Sequence, residues 1–289
     1  MKVISFKRIA VILLLLPILF FFSCQKESRR NTVSIDEAVT YSEAGMETEA
    51  GFDDIQDISL TAADEEGVAS TGRVFPFIAL RLRIGDCAII TVTPQDSTYP
   101  KTVTIDFGTG CMGRDGRLRK GAIILHFTGP IRRPGSVLTI SLRDYYAGRL
   151  HIEGTKTVSN ISTNGTVRFS VQVTDGKVTL PDGKGYTHNA LKYITQLQGG
   201  LTDDVSDDVF SIEGSSATTF NNGMLLTLAT QTPLIKKTAC NWISNGQLKI
   251  TIADKILYLD YAAPGNGACD NKALLTCNNG NNQHLITLQ

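Results

Sequence analysis

The chain has 289 residues, 28 basic against 28 acidic side chains, 42 % apolar residues and 19 % charged ones. That length and apolar content suffice for a large packed core, and the neutral balance lacks the basic excess of a nucleic-acid binder, so no nucleic-acid partner is expected.

In chain order, residues 1–23 read as an export signal. Lys2, Lys7 and Arg8 precede an apolar run from Ile9 to Phe22, and Ser23 places a small residue before Cys24. The run is short of the roughly 20 residues a membrane-spanning helix needs. A cysteine directly after such a site is where bacterial lipoproteins carry their diacylglyceryl group, so Cys24 is the expected lipid anchor and the membrane the first expected partner. Residues 24–71 form an acidic leader with eleven Asp and Glu from Asn31 to Gly72 and no Lys or Arg. Its composition reads by default as a flexible solvated tether, sensitive to proteases. Ile35, Val39, Met46, Phe52, Ile55 and Ile58 offer a broken apolar stripe as the alternative, a helix that docks on the body.

From Arg73 onward, 22 basic residues face 16 acidic ones. Turn dipeptides punctuate this body, at Asp115-Gly116, Asn164-Gly165, Asp175-Gly176, Asp182-Gly183, Asn222-Gly223, Asn245-Gly246, Asn266-Gly267 and Asn279-Gly280. The clearest strands between them run over residues 88–93, 102–107, 122–128, 136–142, 166–174, 224–229, 247–253, 256–261 and 284–288. Only residues 189–198 are ambiguous with helix. The fold class is therefore all-β, with hairpin-rich antiparallel sheets in a sandwich-like arrangement. Two echoes, Ile152-Glu153-Gly154-Thr155 with Ile212-Glu213-Gly214-Ser215 and Asp106…Cys111 with Asp260…Cys269, suggest two related modules, 72–165 and 166–289, or one continuous domain.

Five cysteines follow Cys24, so at least one is unpaired. Cys87 and Cys111 bracket one predicted hairpin and Cys240 and Cys269 another, which predicts those two disulfides and a free Cys277; a Cys269–Cys277 bridge is the rival.

The stretch YPKTVTIDFGTGCMGRDGRLRKGAIILHFTGPIRRPGSV, the Asp203-Asp204-Val205 triplet, CNWISNGQLKI and GNGACDNKALLTCNNG resemble a group of uncharacterised Bacteroidetes-type surface lipoproteins. The resemblance implies a cell-envelope, outer-membrane location and carries no activity with it. It places Cys87, Cys111, Cys240 and Cys269 in the group's pattern and Cys277 outside it.

Chemistry-bearing motifs are sparse. Gly108, Gly110 and Gly113 spell G-x-G-x-x-G after a strand, but a polar loop and another strand follow instead of the helix a dinucleotide needs. Asp203, Asp204, Asp207 and Asp208 form a candidate Ca²⁺ cluster, against a reading as a solvated loop. Arg114, Arg117, Arg119 and Lys120 form a candidate anion site, against a solvated hairpin rim. Asp106, Glu153 and Asp260 are the acids a glycosidase reading has to use. The four histidines, His126, His151, His188 and His284, lack zinc spacing, and there is no nucleophile elbow. Trp242 and Tyr145, Tyr146, Tyr186, Tyr193, Tyr258 and Tyr261 are the rings a saccharide could stack on. No cofactor is expected. The leading expectation is a lipid-anchored, non-catalytic module that binds a glycan or a protein partner, and the alternative is a carboxylate-dependent polysaccharide hydrolase.

Overall fold

The structure, a computed structural model, describes residues 32–69, 77–200, 207–277 and 282–288. Cys24 and the apolar run before it lie outside the described residues, as do Asp203 and Asp204. No described helix is long and apolar enough to cross a membrane.

A long helix, α1 (Ile35–Ala69), and a short one, α2 (Ile78–Ile84), precede the strands. These are β1 (Ile89–Thr93), β2 (Lys101–Asp106), β3 (Cys111–Met112), β4 (Leu118–Phe127), β5 (Val137–Ala147), β6 (Leu150–Asn160) and β7 (Arg168–Thr179). They continue as β8 (Gly185–Gln198), β9 (Val209–Phe220), β10 (Leu225–Lys237), β11 (Asn245–Ile252), β12 (Lys255–Asp260), β13 (Lys272–Cys277) and β14 (Asn282–Thr287). All belong to one antiparallel sheet in which each strand pairs with the next in the chain, except that β4 follows β2 and β3 hangs on β4. The mostly antiparallel β fold is as expected, and the sheet runs without a break from β6 into β7. Residues 189–198 are strand, in β8.

Of the two readings of the acidic segment, the default tether and the docking helix, the helix holds over residues 35–69 and corrects the default. Residues 35–69 are not a solvated tether: they are a helix with Phe52, Ile55, Ile58, Ala62 and Ala63 buried in the main core. Ser34 starts it, accepting the Glu37 N–H while the Glu37 carboxylate accepts the Ser34 N–H and O–H, a capping box. The sheet curls around this helix. Glu49, Asp53 and Asp54 span about 8 Å of helix axis, yet they meet Arg119 of β4, Lys156 of β6, Lys192 of β8 and Ser216 of β9. In a flat sheet β4 and β9 would stand about 24 Å apart, five strand spacings.

The curl has a local cause. Every pairing from β4/β5 to β10/β11 carries a register shift within it, and bulges bend strands and increase twist. The repeated Ile-Glu-Gly supplies two of them. Gly154 has φ 121° and its missing Cβ would lie 2.7 Å from the Gly176 Cα; Gly214 has φ 150° and its Cβ would lie 2.2 Å from the Leu191 carbonyl oxygen. The second echo is also structural: Asp106 and Asp260 each accept the N–H two residues on, at Gly108 and Ala262, turning the chain toward a bridged cysteine.

Two apolar clusters fill the curl. One joins the second half of α1 and α2 to β2, β4–β8 and neighbouring residues; the other joins Val33 and Ala38 to β10–β14. Cys87–Cys111 and Cys240–Cys269 are disulfides with Cα separations of 5.6 and 5.2 Å, and Cys277 is free and buried on β13. The hairpin logic thus places both bridges.

Candidate functional site

Between the two apolar clusters runs a buried polar seam. Lys192 contacts both Glu49 and Asp53, Ser216 donates to Glu49, and Lys156 donates to the Phe52 carbonyl at 2.8 Å. Burial alone would raise the Glu49 carboxyl, but the Lys192 and His188 charges and the Lys192 and Ser216 hydrogen bonds outweigh it and hold it at about 2. Burial lowers the Lys156 ammonium to about 8, against the pull of Asp53. His188 stacks on Phe52 at 5.0 Å, pairs through Nδ1 with the Thr218 hydroxyl at 3.0 Å, and is held below its usual pKa by burial. A second node lies next to it. The Arg119 guanidinium, wholly buried, donates to Asp54 at 2.9 Å and to Asp115 at 2.7 Å, while Arg83 and Arg117 reach Asp54 from more exposed positions. These networks fix the helix inside the sheet.

The arginine-rich hairpin is therefore largely engaged internally: Arg119 and Arg117 hold Asp54, Arg114 pairs with Asp86 at 3.0 Å, and Lys120 lies over the Tyr146 ring. Of the candidate Ca²⁺ acids, Asp208 accepts from Gln196 at 2.7 Å, and no group of three metal-ligating side chains is present among the described residues. Asp106 pairs with Arg143 at 2.8 Å and Glu153 with Lys177 at 3.1 Å, whereas Asp260 closes its own turn. Nothing brings these three acids together.

Among the described residues a concavity lies where the first turns of α1 meet the β7–β8 and β9–β10 turns. A cleft of about 540 Å³ is lined by Asp36, Glu37, Thr40, Tyr41, Lys184, Tyr186, Phe220 and the Asn221-Asn222 pair. Phe220 is buried at its base, with Tyr41 and Tyr186 each 4.8 Å from it and inclined at 57° and 69°. Local chemistry fixes the walls. The Asn221 side-chain Oδ1 accepts the Gly185 N–H at 2.8 Å, tying the β7–β8 turn to the end of β9, and the Asn222 side-chain amide donates to the Tyr41 hydroxyl at 2.6 Å, tying the β9–β10 turn to the helix. Burial and Asp182 push the Tyr186 phenol up, so it stays protonated as a donor. The Ser34 bonds hold the Glu37 carboxyl below its usual value, so it stays ionised.

Of these residues the sequence singled out only Tyr186. The capping box at Ser34…Glu37 was a legible signal for the helix that carries Asp36 and Tyr41, whereas Phe220, at the foot of a strand rich in Ser and Thr, gave none. Comparison with known protein families, characterised proteins and solved structures returns no match.

Proposed function

We propose that the protein is a lipid-anchored cell-envelope module that binds a glycan, without turning it over, in the cleft of Tyr41, Tyr186 and Phe220. The observation that carries this reading is the convergence of three rings with amide, hydroxyl and charged groups in one concave, braced site. Pockets of this size with an apolar floor and a few fixed polar groups are where small ligands bind. Rings offer large apolar faces at low entropic cost, suited to the C–H faces of a sugar, and the Asn221 side chain in the lining offers amide N–H groups for its hydroxyls.

Hydrolysis fits this site poorly. A glycosidase sets two carboxyl groups on either side of the scissile bond and keeps one protonated by a raised pKa. Here Asp36 and Glu37 are consecutive residues on one helical turn, and Glu37 is shifted the other way. Export to the envelope rests on the residues around Cys24, and the resemblance to Bacteroidetes-type lipoproteins agrees with it.

The test is a glycan-array screen of the full chain in a polyoxyethylene-ether detergent, which carries no sugar. A fragment from residue 72 would lack α1, and with it part of the core and one wall of the cleft. Tyr186→Ala should keep the fold and lose at least tenfold in affinity for the retained glycan, about 1.4 kcal/mol. Equal retention by wild type and Tyr186→Ala would remove the cleft from the binding reaction.

A further inference from the structure

We infer that the ligand of this cleft carries an ammonium group. The inference rests on the cleft being the binding site and concerns what the site selects. Tyr41 and Tyr186 each pack against Phe220, inclined to it at 57° and 69°, and all three rings line a single concavity. Ring faces carry the negative end of the aromatic quadrupole, and cages of such rings bind quaternary and alkylated ammonium ions. The charge around them has the matching sign. Asp36 and Glu37, both in the first turn of α1, line the cleft. The lining's basic residue, Lys184, is held by Asp182 at 2.9 Å. Arg149, whose charge reaches Tyr186, is spent on Glu47, donating to its two oxygens at 2.9 and 2.8 Å.

An anionic ligand meets the opposite conditions. The amino end of a helix attracts anions through its free N–H groups, but the first turn of α1 already holds two carboxylates and a serine cap, Glu37 serving the cap itself. A phosphate or sulfate in the cleft would add a third negative charge beside them. A neutral sugar engages the rings and amides and leaves the carboxylates without a counter-charge; a cationic one engages all three. Two sources supply this chemistry in a cell envelope: an unacetylated amino sugar, and an ethanolamine- or choline-type head group.

Matched probes separate charge from shape. Choline is compared with its uncharged isostere 3,3-dimethylbutan-1-ol, and D-glucosamine with D-glucose, by isothermal titration and ligand-observed NMR on the full chain in polyoxyethylene-ether detergent. At least one cation should bind tenfold or more tightly than its neutral counterpart, and whether that is glucosamine or choline names the source. Asp36→Asn, which removes a charge and spares the rings, should cut that advantage to threefold or less, as should 0.5 M NaCl. Tyr186→Leu should weaken every probe. Neutral and cationic members binding equally, or neither cation binding, would overturn the ammonium assignment while a glycan found on the array and lost with Tyr186→Ala would leave the cleft standing. Cation binding untouched by both Asp36→Asn and Tyr186→Leu would place the site elsewhere and overturn both.

Discussion

Asp54→Ala tests how the acidic helix is held. Asp54 is 3 % exposed and takes the Arg119 guanidinium through three contacts at 2.9, 2.9 and 3.3 Å; Arg119 has no exposure of its own. Removing one member of a buried pair leaves the other charge desolvated and typically costs about 3–5 kcal/mol. Arg119 retains Asp115, at 3.1 and 2.7 Å, while Arg83 and Arg117, each 34 % exposed, can return to water. The cost should therefore fall at the low end, about 3 kcal/mol, or roughly 6–12 °C in Tm for a body of this size. Asp64→Ala is the control: it breaks an ion pair with Arg132 whose partners are 49 and 72 % exposed, and such pairs contribute at most about 1 kcal/mol. Equilibrium unfolding in urea, which adds no ionic strength, followed by circular dichroism, gives both numbers. Asp54→Ala costing no more than Asp64→Ala would refute a buried, structural role for the acidic helix.

Acid should weaken the polar seam. The Glu49 carboxyl titrates at about 2 in the fold against about 4.3 in an unfolded chain, so its contribution is present above pH 4.3 and is lost as pH falls toward 2. Glu49→Gln should be less stable than wild type at pH 7 and should flatten the fall in urea midpoint between pH 5 and pH 2.5; an unchanged acid slope would contradict the assignment. Cys24→Ala should move the protein from the membrane pellet to the soluble fraction in cell fractionation, and a mutant still extracted by detergent alone would remove Cys24 as the anchor.

The turns and several strands are readable because their chemistry is local. Asn164-Gly165 and Asn222-Gly223 close hairpins where expected, and buried apolar residues alternate along Val103–Ile105 of β2, Ile123–Phe127 of β4, Leu248–Ile252 of β11 and Leu257–Leu259 of β12. Strands β6, β8 and β9 are illegible in the sequence for a nonlocal reason. Their inward positions include Lys156, His188, Lys192 and Ser216, which break the apolar alternation and meet Glu49, Asp53 or the Phe52 carbonyl of α1, from 104 to 167 residues away, while Thr218 pairs with His188. The same pairing hid the helix. With sheet on several sides, α1 buries charged and apolar residues alike and shows no single apolar stripe. It also carries Gly45, where a Cβ would lie 2.8 Å from Leu226, so a residue that weakens an isolated helix allows this one to pack close. The cleft was illegible because its walls come from Asp36–Ala44, Lys184–Tyr186 and Phe220–Asn222, which only the curl of the sheet brings together.

Amide hydrogen exchange on the full chain tests most directly whether the acidic segment is the core of the fold and a wall of the cleft. Amides from Phe52 to Ala63 should exchange as slowly as those of β4 and β5, and those around Tyr41 should slow further when a cleft ligand is added. Exchange across Ile35–Ala69 at the rate of an unstructured peptide, with the strands still protected, would contradict the helix-centred account and the cleft built on it.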